Sequence, residues 1–219
     1  MSPIKLVAID LAKSTFHLHI MRQDTKVPER KKLNRSKLKL FMQGIPPCTI
    51  AMEACGGSHY WARTFIGFGH QVRLIAPKFV KPFVKSNKND WADAEAISEA
   101  AIRPTMRFVA VKDEWQQDIE AIHRRRERLM HNRIALSNSL RGLLHERGIL
   151  IPSGSANFLK KVGLLIGEYE SNLSKIMLDE IMATQAELSF IESQISEINA
   201  KYDYSTYLMV NPRFLLTLA

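Results

Sequence analysis

Short apolar runs at strand spacing fill the first half of the chain, and a helical repeat fills the second. The runs IKLVAID (4–10), TFHLHIMR (15–22), CTIAMEA (48–54) and HQVRLIAP (70–77) read as strands, with helical segments near 34–44 and 58–68 between them. Only four residues join the first two runs, which demands an antiparallel pair, whereas the later strand–helix–strand spacing suits parallel crossovers. The pattern predicts an α/β domain with a mixed sheet. In TFHLHIMR, His17 and His19 alternate with Phe16, Leu18 and Ile20, which places the histidines on the outer face of the strand and gives them no role.

From about Lys112 the period changes. Trp115, Ile122, Leu129, Leu136 and Leu143 recur every seven residues, with Ile119 and Leu140 on the neighbouring seam. A second helix, about 173–203, carries Met177, Thr184, Ile191 and Ile198 on one seam and Ile181, Leu188, Ile195 and Tyr202 on the other. Between the two helices IPSGSAN (151–157) reads as a turn, so they are expected to run antiparallel as a long coiled-coil hairpin. The expected organisation is an α/β domain over 1–111, a coiled-coil domain over 112–203 and a short tail over 204–219.

Charge adds a partner to this outline. The 219 residues are 46% hydrophobic and 24% charged, as in a soluble globular protein, and the net charge of +9 points to polyanions, nucleic acid before membrane surface. Asp10 and Lys13 interrupt the first apolar segment, and no later run approaches a membrane span, so a cytoplasmic protein without a membrane partner is expected. Cys48 and Cys55 have no second pair to form a zinc pattern and are expected as buried free thiols.

The positive charge is concentrated. Residues 1–111 hold 18 Lys and Arg against 8 Asp and Glu, whereas residues 168–203 hold two lysines against eight acids. Three basic runs are candidate nucleic-acid contacts: KVPERKKLNRSKLK (26–39) with Lys31, Lys32 and Arg35, KFVKPFVKSNK (78–88) with Lys81, Lys85 and Lys88, and HRRRER (123–128) with Arg124, Arg125 and Arg126. Phe79 and Phe83, interleaved with the lysines, read better as core than as base-stacking platforms. Arg126 and Arg133 fall on the Ile119/Leu140 seam, where they either snorkel from a loose coiled coil or contact nucleic acid.

Candidate chemistry lies in four acids. Asp10 closes the first apolar strand, and Glu53 sits near the end of TIAMEA, where a carboxylate is costly unless it has a partner. In NDWADAEA (89–96), Asp90 and Asp93 share a helix line with Ile97 and Ala101, opposite Glu95, Glu99 and Arg103, so they are expected off the wet face. Four carboxylates would suit two divalent cations, Mg²⁺ or Mn²⁺, which about 4 Å apart can stabilise the attacking and leaving oxygens of a phosphodiester. His59, after the glycines of EACGGSHYW, could carry protons or simply neighbour a helix cap.

LVAIDLAKSTFHL, AMEACGGSHYWAR, GHQVRLIAPKFVKPFVKSNKNDWADAEAI and RPTMRFVAVK resemble the DEDD transposases of the insertion-sequence one-ten family, especially its eleven-eleven branch, relatives of the Piv DNA invertase described as bridge-RNA-guided recombinases. The resemblance extends through RGLLHERGI and covers roughly the first 200 residues. It implies a RuvC-like RNase H fold, Asp10, Glu53, Asp90 and Asp93 as the D-E-D-D metal ligands, and DNA and a guide RNA as partners. The expected function is that of the catalytic-acid and coiled-coil part of a transposase in RNA-guided DNA recombination, homo-oligomeric through the coiled coil. YLMVNPRFLLTLA lacks the family's glycine motif and the serine domain beyond it, so inactivity in strand exchange alone is also expected. The alternative is a nucleic-acid-binding remnant or an inhibitor of full-length relatives.

Overall fold

A computed structural model of the chain describes residues 2–25, 27–84, 90–152, 158–169 and 172–202, with Asp90 described in its backbone alone. The chain divides into two compact units, Met1–Trp115 and Gln116–Ala219.

The first unit is built on a six-stranded mixed sheet: β1 (Ile4–Asp10), β2 (Thr15–Arg22), β3 (Glu29–Asn34), β4 (Thr49–Glu53), β5 (Gln71–Ile75) and β6 (Phe108–Val109), in the order β3-β2-β1-β4-β5-β6. β1, β2 and β3 pair antiparallel, β4 joins β1 in parallel and β5 joins β4 in parallel, while β6 returns antiparallel to β5. All four expected strands form. β3 and β6 were not expected, β3 because its sequence ERKKLN reads as a basic run. As the outermost strand it needs little apolar content, and Lys31 contributes its stem, with Nζ 4.6 Å from the centroid of the Phe41 ring.

Alternation divides the strand side chains between two apolar layers. On one face Val7, Ile9, Phe16, Leu18, Ile20, Ile50 and Met52 pack with Leu38 and Met42 of α1 (Arg35–Gly44) and Trp61, Ala62 and Phe65 of α2 (Ser58–Gly67). On the other face Leu6, Ala8, Ala51 and Ile75 pack with Val80 of α3 (Pro77–Val80) and with Ala96, Ile97, Ala100 and Ala101 of α4 (Asp90–Ala101). Alanine against alanine lets α4 lie close on the sheet. Phe79 and Phe83 pack against this second layer, as expected of core residues.

This second layer corrects the reading of β2. His17 and His19 lie on the face that α4 covers and are 5% and 7% exposed, so they do not decorate an outer surface. Single-strand alternation cannot reveal this, because a sheet covered on both faces buries both sets of side chains.

The second unit is helical. α5 (Glu114–His145) runs into it, followed by α6 (Phe158–Tyr169) and α7 (Lys175–Lys201). In α7 both expected seams are buried, through Ile181, Thr184, Leu188, Ile191, Ile195 and Ile198. In α5 the buried positions are Ile119, Ser137, Leu140 and Leu144, whereas Trp115 is 62% and Leu143 37% exposed, so the Trp115/Leu143 seam is not the packed one. α6 was not expected. Its Phe158 and Val162 join Leu140, Leu144, Ile181 and Leu188 in one core, and this third helix draws the buried face of α5 away from a simple two-helix seam.

Candidate functional site

β1 and β4 are adjacent and parallel with Ile9 opposite Met52, so the next residues, Asp10 and Glu53, end neighbouring strands side by side. By the pleat they share the face of Ala8 and Ala51, the face that α4 covers. Both acids are half-buried. Asp93 comes to them from the first turn of α4.

The Glu53 carboxyl senses the other two. Burial pushes the Glu53 carboxyl above its ordinary range, and the negative charges of Asp10 and Asp93 push it further in the same direction. The Cys55 thiol, two residues on, is raised by burial and then by Glu53 and Asp10. Cys55 therefore borders the same electronegative field, a neighbour that its spacing from Cys48 did not disclose. Both cysteines are free and half-buried rather than fully buried.

Asp93 is exposed, which corrects the expectation of an inward carboxylate. Ile97, four residues along the same line, is buried, but so are Ala94, Ala96 and Ser98 on other sides of α4, and Glu95 and Glu99 are half-buried rather than on a wet face. The Asp90 side chain, Lys85 and Lys88 lie outside the described residues. Among the described residues no group of three His, Cys, Asp or Glu side chains is arranged to hold a metal ion. What fits a hard divalent cation is the donor chemistry: carboxylate oxygens alone, with Glu53 raised by burial and then by the like charges of its two neighbours.

The charge crowding has a measurable cost. In metal-free protein Glu53→Gln is expected to raise the melting temperature near pH 7 and to lose that advantage toward pH 4. A carboxyl with a raised folded-state pKa holds extra protons in the folded state, so its stability contribution declines as pH rises above the ordinary carboxyl range. Calorimetric scans at the two pH values check this, and a lower melting temperature for the variant at pH 7 would contradict it.

Two histidines of this unit have defined structural positions. His59 Nδ1 accepts a hydrogen bond from the Lys112 backbone N–H at 3.1 Å, and Arg63, one turn on in α2, donates to the Lys112 carbonyl at 2.7 Å. His59 thus brackets the segment that leads into α5, and that bond occupies one of its two ring nitrogens. His17 is the cross-strand partner of Asp10.

The basic candidates separate by position. Lys32 pairs with His17 in register, so Asp10, His17 and Lys32 form a row across three strands on the α4 face, with Lys32 exposed. Lys31, next in sequence, points to the other face over Phe41. The Arg35 guanidinium lies 4.9 Å from the ring centroids of both Tyr60 and Trp61. Lys81 is exposed in the turn after α3. In the helical unit Arg124 pairs with Glu120 at 2.6 Å with its side chain 75% exposed, whereas Arg125 bonds Gln194 and Arg126 donates to Asn199 at 2.8 Å. Those two arginines tie α5 to α7, and Arg126 is held by a partner on α7.

A family model for DEDD transposases of the IS110 type, described as "Transposase", matches residues 7–148, from β1 through the end of α5. The chain belongs to this family. It is 42% identical over 193 residues to a probable family 20 transposase of Pseudomonas aeruginosa, covering 88% of this chain and 57% of that relative. It is 40% identical over 198 residues to the transposase for insertion sequence element IS1328 of Yersinia enterocolitica, covering 90% and 58%, and 40% identical over 177 residues to the transposase for insertion sequence element IS1111A of Coxiella burnetii, covering 81% and 49%. The chain thus spans between about half and three fifths of the length of these relatives. Among the described residues no helix is long and apolar enough to cross a membrane.

Proposed function

We propose that this chain supplies the RuvC-like catalytic part, residues 1–111, and the coiled-coil part, residues 112–203, of a transposase that cleaves and transfers DNA phosphodiesters under the direction of a guide RNA. The observation that carries the reading is the pairing of Asp10 and Glu53 at neighbouring strand ends with Asp93 on the covering helix, an arrangement in which burial first, and then the charges of Asp10 and Asp93, raise the Glu53 carboxyl. Such repulsion is maintained in a folded protein where a cation relieves it. Asp10, Glu53, Asp90 and Asp93 are the residues that would hold Mg²⁺ or Mn²⁺. Bound there, the ions would neutralise charge on the scissile phosphate and on its attacking and leaving oxygens.

The sheet supports the RuvC-like assignment: an antiparallel β1–β2–β3 start, parallel β4 and β5, and acids ending β1 and β4 with a third on the covering helix. Lys32, on the face of the acids, and Lys81 are exposed in the first unit and Arg124 is exposed in the helical unit, so these three are the readiest to meet phosphates. In the helical unit, Arg126 early in α5 reaches Asn199 late in α7, while Leu140 late in α5 shares a core with Ile181 early in α7, the pairing of an antiparallel hairpin. The same helices are the proposed route to homo-oligomers.

The test is single-turnover incubation of the chain with end-labelled linear and branched DNA in Mg²⁺, in Mn²⁺ and in chelator, with and without RNA purified from its host. Metal-dependent cleavage that Glu53→Gln abolishes is the expected result. Salt-sensitive DNA binding with no cleavage on any substrate would overturn the catalytic reading and leave a nucleic-acid-binding remnant or inhibitor.

A further inference from the structure

The proposed chemistry leaves the buried histidine face of β2 without a task. Trp91 stands between Asp90 and Asp93, and its ring meets the ring of His17 edge to face, with centroids 4.9 Å apart and planes at 75°. His17 is 5% exposed and pairs across the strands with Asp10. The contact begins a row. Four residues along α4, Glu95 meets Arg30 of β3 at 3.4 Å, and three further on Ser98 donates to Met21 Sδ at 3.1 Å. Arg30 is the register partner of His19.

Positions 91, 95 and 98 share one helix face, and 17, 19 and 21 share one strand face. α4 therefore lies along β2 through a continuous seam, and His17–Trp91 is its end at the acids. The other two contacts constrain less. Arg30 and Glu95 form a long, partly solvated ion pair, and a thioether is a weak acceptor. Farther along α4 the alanines rest on Ala8 and Ala51, but Trp91 is the one large apolar side chain in the sequence DWADA that opens the helix.

We propose that His17 is a positioning residue: its ring seats Trp91 and thereby fixes the first turn of α4, which sets where Asp93 stands relative to Asp10 and Glu53. The seat itself is a packing claim, and its consequence for the acids rests on the proposed reading of the four as one site. The seating of Trp91 belongs to the ring's shape and edge, so phenylalanine supplies the seat and alanine does not.

Two readouts on the 219-residue chain test this. Hydrogen exchange at the amides of Ala94 to Ile97, which close the first turns of α4, is expected to speed by about 10-fold or more in His17→Ala, while amides of Val7 and Ile50 in the sheet keep their wild-type rates. Mn²⁺ affinity measured by calorimetry is expected to weaken by about 10-fold in the same variant, the size of effect seen when a supporting partner of a ligand is lost. His17→Phe is expected to restore the α4 exchange rates. If His17→Ala fails to fold, Trp91→Leu removes the same contact from the half-buried partner and is read in the same way. Unchanged α4 exchange, or a folded His17→Phe whose α4 exchange is that of His17→Ala, overturns the proposal. A wild-type protein that takes up no Mn²⁺ would sink the catalytic reading instead, and the exchange rates would still decide the seat.

Discussion

Replacing Asp10 with asparagine is expected to weaken Mn²⁺ binding by about 100-fold or more, roughly 2.7 kcal/mol, whereas the same change at Asp93 is expected to weaken it by about 10-fold. Both lose a proposed ligand, but their surroundings differ. Asp10 is half-buried at the end of β1, beside Glu53, where low local dielectric magnifies each charge. Asp93 is exposed, and water screens much of its field. Two effects act together at Asp10. The variant has one anionic oxygen donor fewer, and it relieves in advance part of the repulsion that raises Glu53 and that an incoming cation would otherwise relieve. Calorimetric titration of the two variants beside the wild type checks the order. Equal losses, or a larger loss at Asp93, would mean that the strand-end pair is not the centre of the site.

The parts of this arrangement that show in the sequence are those set by local chemistry. Asp10 and Glu53 stand out because each ends an apolar run where a charge has no local justification. Asp93 stands out because it shares a helix line with Asp90, opposite Glu95, Glu99 and Arg103, although Glu95 and Glu99 are half-buried, Glu95 against Arg30. What stays hidden depends on neighbours in space. ERKKLN looks like a surface charge run, yet as β3 it is an outer strand whose pleat sends Lys31 over Phe41 and Lys32 to the side of the acids. The β2 histidines alternate with apolar residues as an outer face does, but α4 covers that face. Asp93 is exposed where an inward carboxylate was expected, and Glu95 and Glu99 are half-buried where a wet face was expected, because α4 is buried on several sides and periodicity cannot say where its covering layers stop. In the helical unit the seams of α7 were legible and the Trp115/Leu143 seam of α5 was not. A heptad count assumes one partner helix, and α6 supplies a second.

DNA affinity is expected to fall by about 10³-fold between 50 and 200 mM salt, as for a protein that neutralises six or more phosphates. The three basic runs hold more than enough cations for this, but their neighbours divide the work between them. Each lysine or arginine that meets a phosphate contributes roughly 0.9 to the slope of log K against log salt. Lys32 is exposed and stands in the cross-strand row with Asp10 and His17, so a phosphate brought to the acids passes near it. Lys32→Glu is expected to lower the slope by about one unit or more and to weaken binding at 150 mM salt by about 10-fold. Lys31→Glu is expected to change the slope less, because that side chain lies on the opposite face with its ammonium over Phe41. Its cost falls on packing. The same logic separates the α5 arginines. Arg124 is exposed, and reversing its charge removes about one unit of slope, whereas Arg126 holds Asn199 of α7, so its replacement loosens the helical unit as well. Fluorescence anisotropy with labelled duplex DNA over a salt series gives the slopes, and thermal melts show which variants have lost packing. If Lys31→Glu and Lys32→Glu flatten the slope equally while both remain folded, the nucleic acid does not approach along the face that carries the acids.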